Sequence, residues 1–116
     1  ALREAPLYVE AYIERAKARM KQGKTAEAVA DYSKALKLYR KSMLALLGRA
    51  VAYMTMKDYD AALNDLNRAL EIDPRDPIAL QNRSIVYTAL GMDEKAKEDE
   101  VKRIMSLKER TSRQYR

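Results

Sequence analysis

Apolar residues recur at three- and four-residue spacing along most of this chain, the period of one face of an α-helix. The clearest stretches are residues 43–56 and 59–72, with Ser42 and Asp58 at the places of N-caps. Asp73-Pro74 stops the second stretch, and Asp76-Pro77 opens the next with a cap and a first-turn proline. Upstream, Pro6 opens a helix to about residue 22, and Gly23 supplies a left-handed stop. Thr25 then caps a helix to about residue 40. Gly91 ends a fifth helix, and Asp93 caps a sixth that reaches at least Glu109. No segment alternates with period two or concentrates β-branched residues. The pattern predicts an all-α chain of about six helices.

The chain also matches itself at an offset of 34 residues. Arg15, Arg49 and Arg83 fall in register, as do Ala28, Ala62 and Ala96, and Asp31, Asp65 and Asp99. Leu36, Leu70 and Ile104 follow, and Gly23 and Gly91 match at twice the period. Each arginine precedes its aspartate by sixteen residues, which places the two on the antiparallel helices of one unit. A ladder of Arg–Asp ion pairs is therefore expected, fixing how paired helices sit. Between Leu36 and Leu47 there is no Gly or Pro, so the local sequence tolerates a continuous helix through Arg40, Lys41 and Ser42. A turn is expected there, because stacking buries the apolar stripe locally.

A 34-residue helix–turn–helix unit with small residues at fixed places resembles the tetratricopeptide repeat. Residues 48–53, 58–63 and 69–74 look like a nearly complete copy, with Asp73-Pro74 at its end. Asn82-Arg83-Ser84 with Tyr87 and Gly91 resembles the first helix of another, and Lys21-Gln22-Gly23 with Ala28, Tyr32 and Ala35 marks a third. The resemblance implies a solenoid of three units at about residues 9–42, 43–76 and 77–110, with a basic tail at 111–116. The closing proline is replaced by Arg40 in the first unit and Lys108 in the third, and the late tyrosine of the first helix by Arg19. Lys97, Glu100, Arg103 and Ser106 make the extended last helix more polar, as a terminal helix requires. Its Ala96, Val101, Ile104, Met105 and Leu107 are expected to pack backward.

The resemblance further implies a groove, lined by the first helix of each unit, that holds a peptide or partner helix. Its places fall on Glu10, Ile13, Lys17, Met20 and Lys21, then Leu44, Leu47, Gly48, Val51 and Met54, then Ile78, Gln81, Asn82, Ile85 and Thr88. One branch of the family clamps the C-terminal carboxylate of heat-shock chaperones with lysines, asparagines and an arginine. The corresponding places are Ile13, Lys17, Gly48, Ile78 and Asn82, and none carries the required residue. Chaperone-tail binding is disfavoured on that ground. Leu44, Leu47, Val51 and Met54 form the expected centre, and Lys17 and Lys21 at one edge suit a ligand with acidic flanks.

Composition narrows the chemistry. With 116 residues, 47% of them hydrophobic and 34% charged, the chain is one globular domain or a short repeat array. It has no cysteine and no histidine, so disulfides, thiolate nucleophiles, imidazole bases and the ordinary zinc site are out. Glu94, Glu98, Asp99 and Glu100 cluster, but helical spacing spreads them and Lys95 and Lys97 interleave, so they read as a solvated face. Asn82-Arg83-Ser84 matches a glycosylation pattern, yet it lies mid-helix in a chain without a secretory signal and reads as a chance match. No metal, cofactor or catalytic set is expected. The charge of +6 is blocked: residues 15–41 hold nine bases against Glu27 and Asp31, and residues 58–100 hold eleven acids against five bases. Few aromatics interleave with the basic blocks, with Tyr39 and Tyr115 as thin support, so nucleic acid ranks below protein as a partner. The reading is a non-catalytic, cytoplasmic interaction scaffold that takes an amphipathic helix or hydrophobic peptide. The alternative is a structural or engineered repeat fragment that self-associates through the same groove.

Overall fold

The computed structural model describes residues 5–114, which form six α-helices with no strand among them. These are α1 (Ala5–Lys21), α2 (Thr25–Leu38), α3 (Met43–Thr55), α4 (Tyr59–Ile72), α5 (Pro77–Ala89) and α6 (Asp93–Gln114). They pair as the hairpins α1–α2, α3–α4 and α5–α6, while α3 stacks on α2 and α5 on α4. The expected tail from residue 111 continues α6 as far as Gln114, and residues 115 and 116, Tyr115 included, lie outside the described residues.

Each hairpin turns through the same backbone device. Gly23, Lys57 and Gly91 take φ of +77°, +62° and +76°, and the next residue's N–H donates five residues back. Those bonds are Lys24 to Arg19, Asp58 to Tyr53 and Met92 to Tyr87, each 2.8 Å long. This is the Schellman closure, which wants glycine at the left-handed residue. Lys57 adopts that conformation despite its Cβ, at a cost of roughly 1–2 kcal/mol.

Side chains cap the starts of α3, α4 and α5. Ser42, Asp58 and Asp76 accept the N–H groups of Ala45, Ala61 and Ala79 at 3.2, 3.3 and 2.8 Å. Thr25 and Asp93, expected as caps, are instead the first residues of α2 and α6. The closure places the cap one residue earlier, at Lys24 and Met92, whose carbonyls accept from Ala28 and Ala96. Between the first two hairpins the helix ends at Leu38, and Tyr39 is extended. The chain turns there before the Ser42 cap.

Alanines make the close packing possible: Ala16, Ala28, Ala35, Ala50, Ala62 and Ala69 are all fully buried. Small side chains let the helices approach closely. The same hairpins also hold a polar ladder between their two helices. Arg15 donates to Asp31 at 3.0 and 2.7 Å, Arg49 to Asp65 at 2.8 and 2.6 Å, and Arg83 to Asp99 at 2.7 and 2.8 Å. All three carboxylates are buried. Each guanidinium also lies over a tyrosine ring, Tyr12, Tyr53 and Tyr87 respectively. Tyr53 and Tyr87 are in register. In the first hairpin Arg19 occupies that place and adds a 2.8 Å bond to Asp31, while Tyr12 supplies the ring.

A second set of bonds from the same arginines runs between hairpins. Arg49 reaches Ser33 on α2 at 3.1 Å, and Arg83 reaches Asn67 on α4 at 2.9 Å. Each of these arginines therefore joins its own hairpin to the one before. The apolar contacts between the first two hairpins are just as specific. A Cβ on Gly48 would come within 2.4 Å of the buried Tyr32 ring, so the mid-helix glycine is the space that this ring occupies.

The last helix departs from expectation. Ala96 packs inward, but Val101, Ile104, Met105 and Leu107 are 59%, 42%, 55% and 40% exposed. Leu36 and Leu70, in register with Ile104, are buried. They lie beneath stacked hairpins, and none of the described residues stacks on α6 in that way.

Two outcomes follow from this packing. Hydrogen bonding from Arg15, with the charges of Arg15, Arg19 and Lys34, holds the Asp31 carboxyl below its ordinary value of 3.8 against the opposing effect of burial. Stabilisation by ionised Asp31 is complete above that ordinary value and disappears as pH falls through the depressed one. In urea titrations, the gap between wild type and Asp31→Asn should be widest near neutral pH and shrink below about pH 4. A gap that is constant down to acid pH would contradict this. Separately, Gly48→Ala should destabilise the fold despite alanine's helix propensity, which favours it by roughly 1 kcal/mol. Tyr32→Leu, copying Leu66 of the second hairpin, should relieve most of that loss. Additive effects in the double variant would show that the two residues do not share the space.

Candidate functional site

Two rows of side chains cross the first helices of the hairpins at the 34-residue period. One comprises Glu10, Leu44 and Ile78, the other Lys17, Val51 and Ile85. All six are exposed, with Leu44, Val51, Ile78 and Ile85 at 65%, 40%, 56% and 50%. Since α1, α3 and α5 lie side by side, the rows make one surface that is charged at α1 and apolar across α3 and α5. Gln81 and Thr88 are exposed beside them, and Asn82 is half-buried.

Not every expected groove residue belongs to this surface. Ile13 is 5% exposed and sits in the core of the first two hairpins with Val9, Ala16 and Tyr32. Met20 is half-buried against the same core. Leu47 packs on both core clusters and Met54 on the second, around Ala50, Leu66 and Val86. Gly48 is committed to Tyr32. The physical reason is the row that these residues occupy. Ile13, Leu47 and Gln81 are in register, and burial falls from buried to half-buried to exposed along them. Leu47 was expected at the centre of a binding surface, but its side chain works mainly for the core.

Charge near the surface is modest. Lys17 is paired with Glu14 at 3.3 Å, and Lys21 stands exposed in the last turn of α1. The arginines that could have supplied positive charge, Arg49 and Arg83, are turned to the ladder. There, the hydrogen bonds that they donate to Asp65 and Asp99 raise their pKa further. What the surface offers is apolar area with neutral polar groups at the α5 end, suited to the apolar face of a helix or peptide. Among the described residues no group of acidic side chains could hold a metal ion, and no helix is long and apolar enough to cross a membrane.

Sequence reasoning missed the acceptors Ser33 and Asn67. Both differ in type, and neither lies in the hairpin of the arginine it serves. Their shared offset of sixteen residues before Arg49 and Arg83 was the available signal.

The chain is similar to solved structures of known proteins. The first TPR of Spaghetti (RPAP3), bound to HSP90 peptide SRMEEVD, matches with a TM-score of 0.84 and 26% identity, covering 86% of this chain and 79% of that one. The first TPR domain of human RPAP3 matches with a TM-score of 0.83 and 27% identity, covering 87% and 80%. A tetratricopeptide repeat protein from Parabacteroides merdae is 31% identical with a TM-score of 0.80, and this chain spans 38% of it. No curated protein sequence matches significantly. The tetratricopeptide repeat family model matches residues 13–77, more than half of the chain. With its three stacked hairpins, the chain belongs to the tetratricopeptide repeat family.

Proposed function

We propose that this chain is a non-catalytic protein–protein interaction module that takes an amphipathic helix or hydrophobic peptide across α1, α3 and α5. The observation that supports this most is the exposure of Leu44, Val51, Ile78 and Ile85 in two rows on adjoining helices. Contiguous exposed apolar surface of this kind commonly marks an interaction site. Leu47, Met54 and Gly48 form the floor beneath, and Lys17 and Lys21 the basic edge. Burying one such side chain in a partner contributes about 1.5–3 kcal/mol, so a few suffice for micromolar affinity.

The RPAP3 neighbour is bound to a heptapeptide that ends in Glu-Glu-Val-Asp. Capturing such an acidic tail takes several converging donors. Here the corresponding places are Ile13, which is buried, exposed Ile78, Gly48, half-buried Asn82 and exposed Lys17. Only Lys17 carries a positive charge, and Glu14 shares it. The reading is therefore an apolar partner rather than a chaperone tail. Cytoplasmic residence accords with such a role and stays part of the proposal.

The test uses two labelled peptides: SRMEEVD, and an 18-residue amphipathic helix with leucines at i, i+3, i+4 and i+7. The helix should bind with roughly micromolar affinity. Ile78→Glu and Leu44→Glu, both at exposed positions, should weaken it about tenfold or more with helicity unchanged. SRMEEVD should bind far more weakly. Tight binding of SRMEEVD with no response to the amphipathic peptide would contradict the proposal.

A further inference from the structure

We propose that α6 is a dimerisation helix, pairing antiparallel with α6 of a second copy of this chain. The argument is independent of the surface on α1, α3 and α5. Helices α2 and α4 are 14 residues long, whereas α6 has 22. Their last residues, Leu38 and Ile72, correspond to Ser106, whose hydroxyl donates to the Arg75 carbonyl at 2.6 Å and ties α6 to the bundle. Residues 107–114 run beyond that point, with Glu109 paired to Arg75. A helical segment this short is marginal in water unless a face of it is packed.

The outward face of α6 has the spacing of a helix–helix seam. Lys97, Val101, Ile104, Lys108 and Thr111 follow at intervals of four, three, four and three, the a/d pattern of a coiled coil. Its centre is apolar and exposed, with Met105 and Leu107 flanking Ile104. The lysine stems at the outer places can lie along apolar surface while their ammonium groups reach water.

Charge selects the partner and its direction. Outside the buried Asp99, which Arg83 neutralises, residues 93–100 of α6 hold four acids against Lys95 and Lys97, and residues 102–114 hold five bases against Glu109. An antiparallel copy sets the basic half of each α6 over the acidic half of the other, with Ile104 near the two-fold axis. A parallel copy would set like charge on like. Head-to-tail stacking of α1 on α6 is also disfavoured. The contact that Gly48 makes with Tyr32 would there fall between Glu14 and Glu100, two carboxylates. An isologous pair closes on itself and stops at two copies.

The test is the mass of the full chain by light scattering across concentration. One helix per copy makes a small interface, so the mass should rise from 13.3 kDa toward twice that value at about 100 µM and fall with added salt. Ile104→Glu should keep the chain monomeric with unchanged helicity. Glu94→Lys/Glu98→Lys should weaken the dimer about tenfold, and adding Lys108→Glu/Arg113→Glu to the same chain should restore it. A monomer at every concentration overturns the proposal, as does a dimer insensitive to these changes. A dimer lost in Leu44→Glu but kept in Ile104→Glu would place self-association on the α1–α3–α5 surface and overturn it equally.

Discussion

A buried carboxylate has to be answered, and in each hairpin of this protein one arginine answers it. Asp31, Asp65 and Asp99 are almost wholly removed from solvent, where an unpaired charge would be intolerable. The arginine sixteen residues earlier approaches with two parallel N–H groups, a geometry that admits one orientation of the fork and so one rotation of the first helix against the second. Arg49 and Arg83 use their remaining nitrogens on Ser33 and Asn67 of the hairpin before. The same side chain that orients a hairpin internally thus indexes it against its neighbour.

That indexing decides what faces outward. With Arg49 and Ala50 committed to the interior, Leu44 and Val51 must point to the opposite side of α3, and Ile78 and Ile85 repeat the arrangement on α5. The ladder's polar interior and the exposed apolar rows are two consequences of one rotation. The first hairpin carries an extra device, since Arg19 joins Arg15 on Asp31 and Arg15 is more exposed than its counterparts. No hairpin precedes α1 among the described residues to cover it.

Local chemistry was the most legible part of the sequence. The period of 34, the caps at Ser42, Asp58 and Asp76, and the left-handed glycines each rest on one or a few residues whose preference is intrinsic. The spacing of sixteen likewise pointed each arginine at its aspartate. Burial was harder to read, because it depends on what lies against a residue. Ile13 and Gln81 hold the same place in the repeat, yet one is core and the other exposed. Ile104 looks like a core residue by register, and it is exposed because no hairpin stacks on α6 among the described residues. Gly48 could be read as room for a ligand or for a neighbour, and only the position of Tyr32 distinguishes the two. Thr25 and Asp93 failed as caps for a simpler reason: the turn before them uses a fixed number of residues, and that number puts them one place inside the helix.

The claim on which the rest depends is that the Arg–Asp pairs carry substantial, coupled stabilisation. A double-mutant cycle on Arg49 and Asp65, read by urea unfolding, tests it most directly. Asp65→Ala leaves the guanidinium without its carboxylate, and Arg49→Met leaves a buried charge uncompensated. Each single change should cost about 2–4 kcal/mol, and the double variant should cost much less than their sum. Losses within the ~1 kcal/mol of an exposed pair, or strictly additive ones, would contradict the account. The pairs would then decorate a fold held in register by its alanines alone.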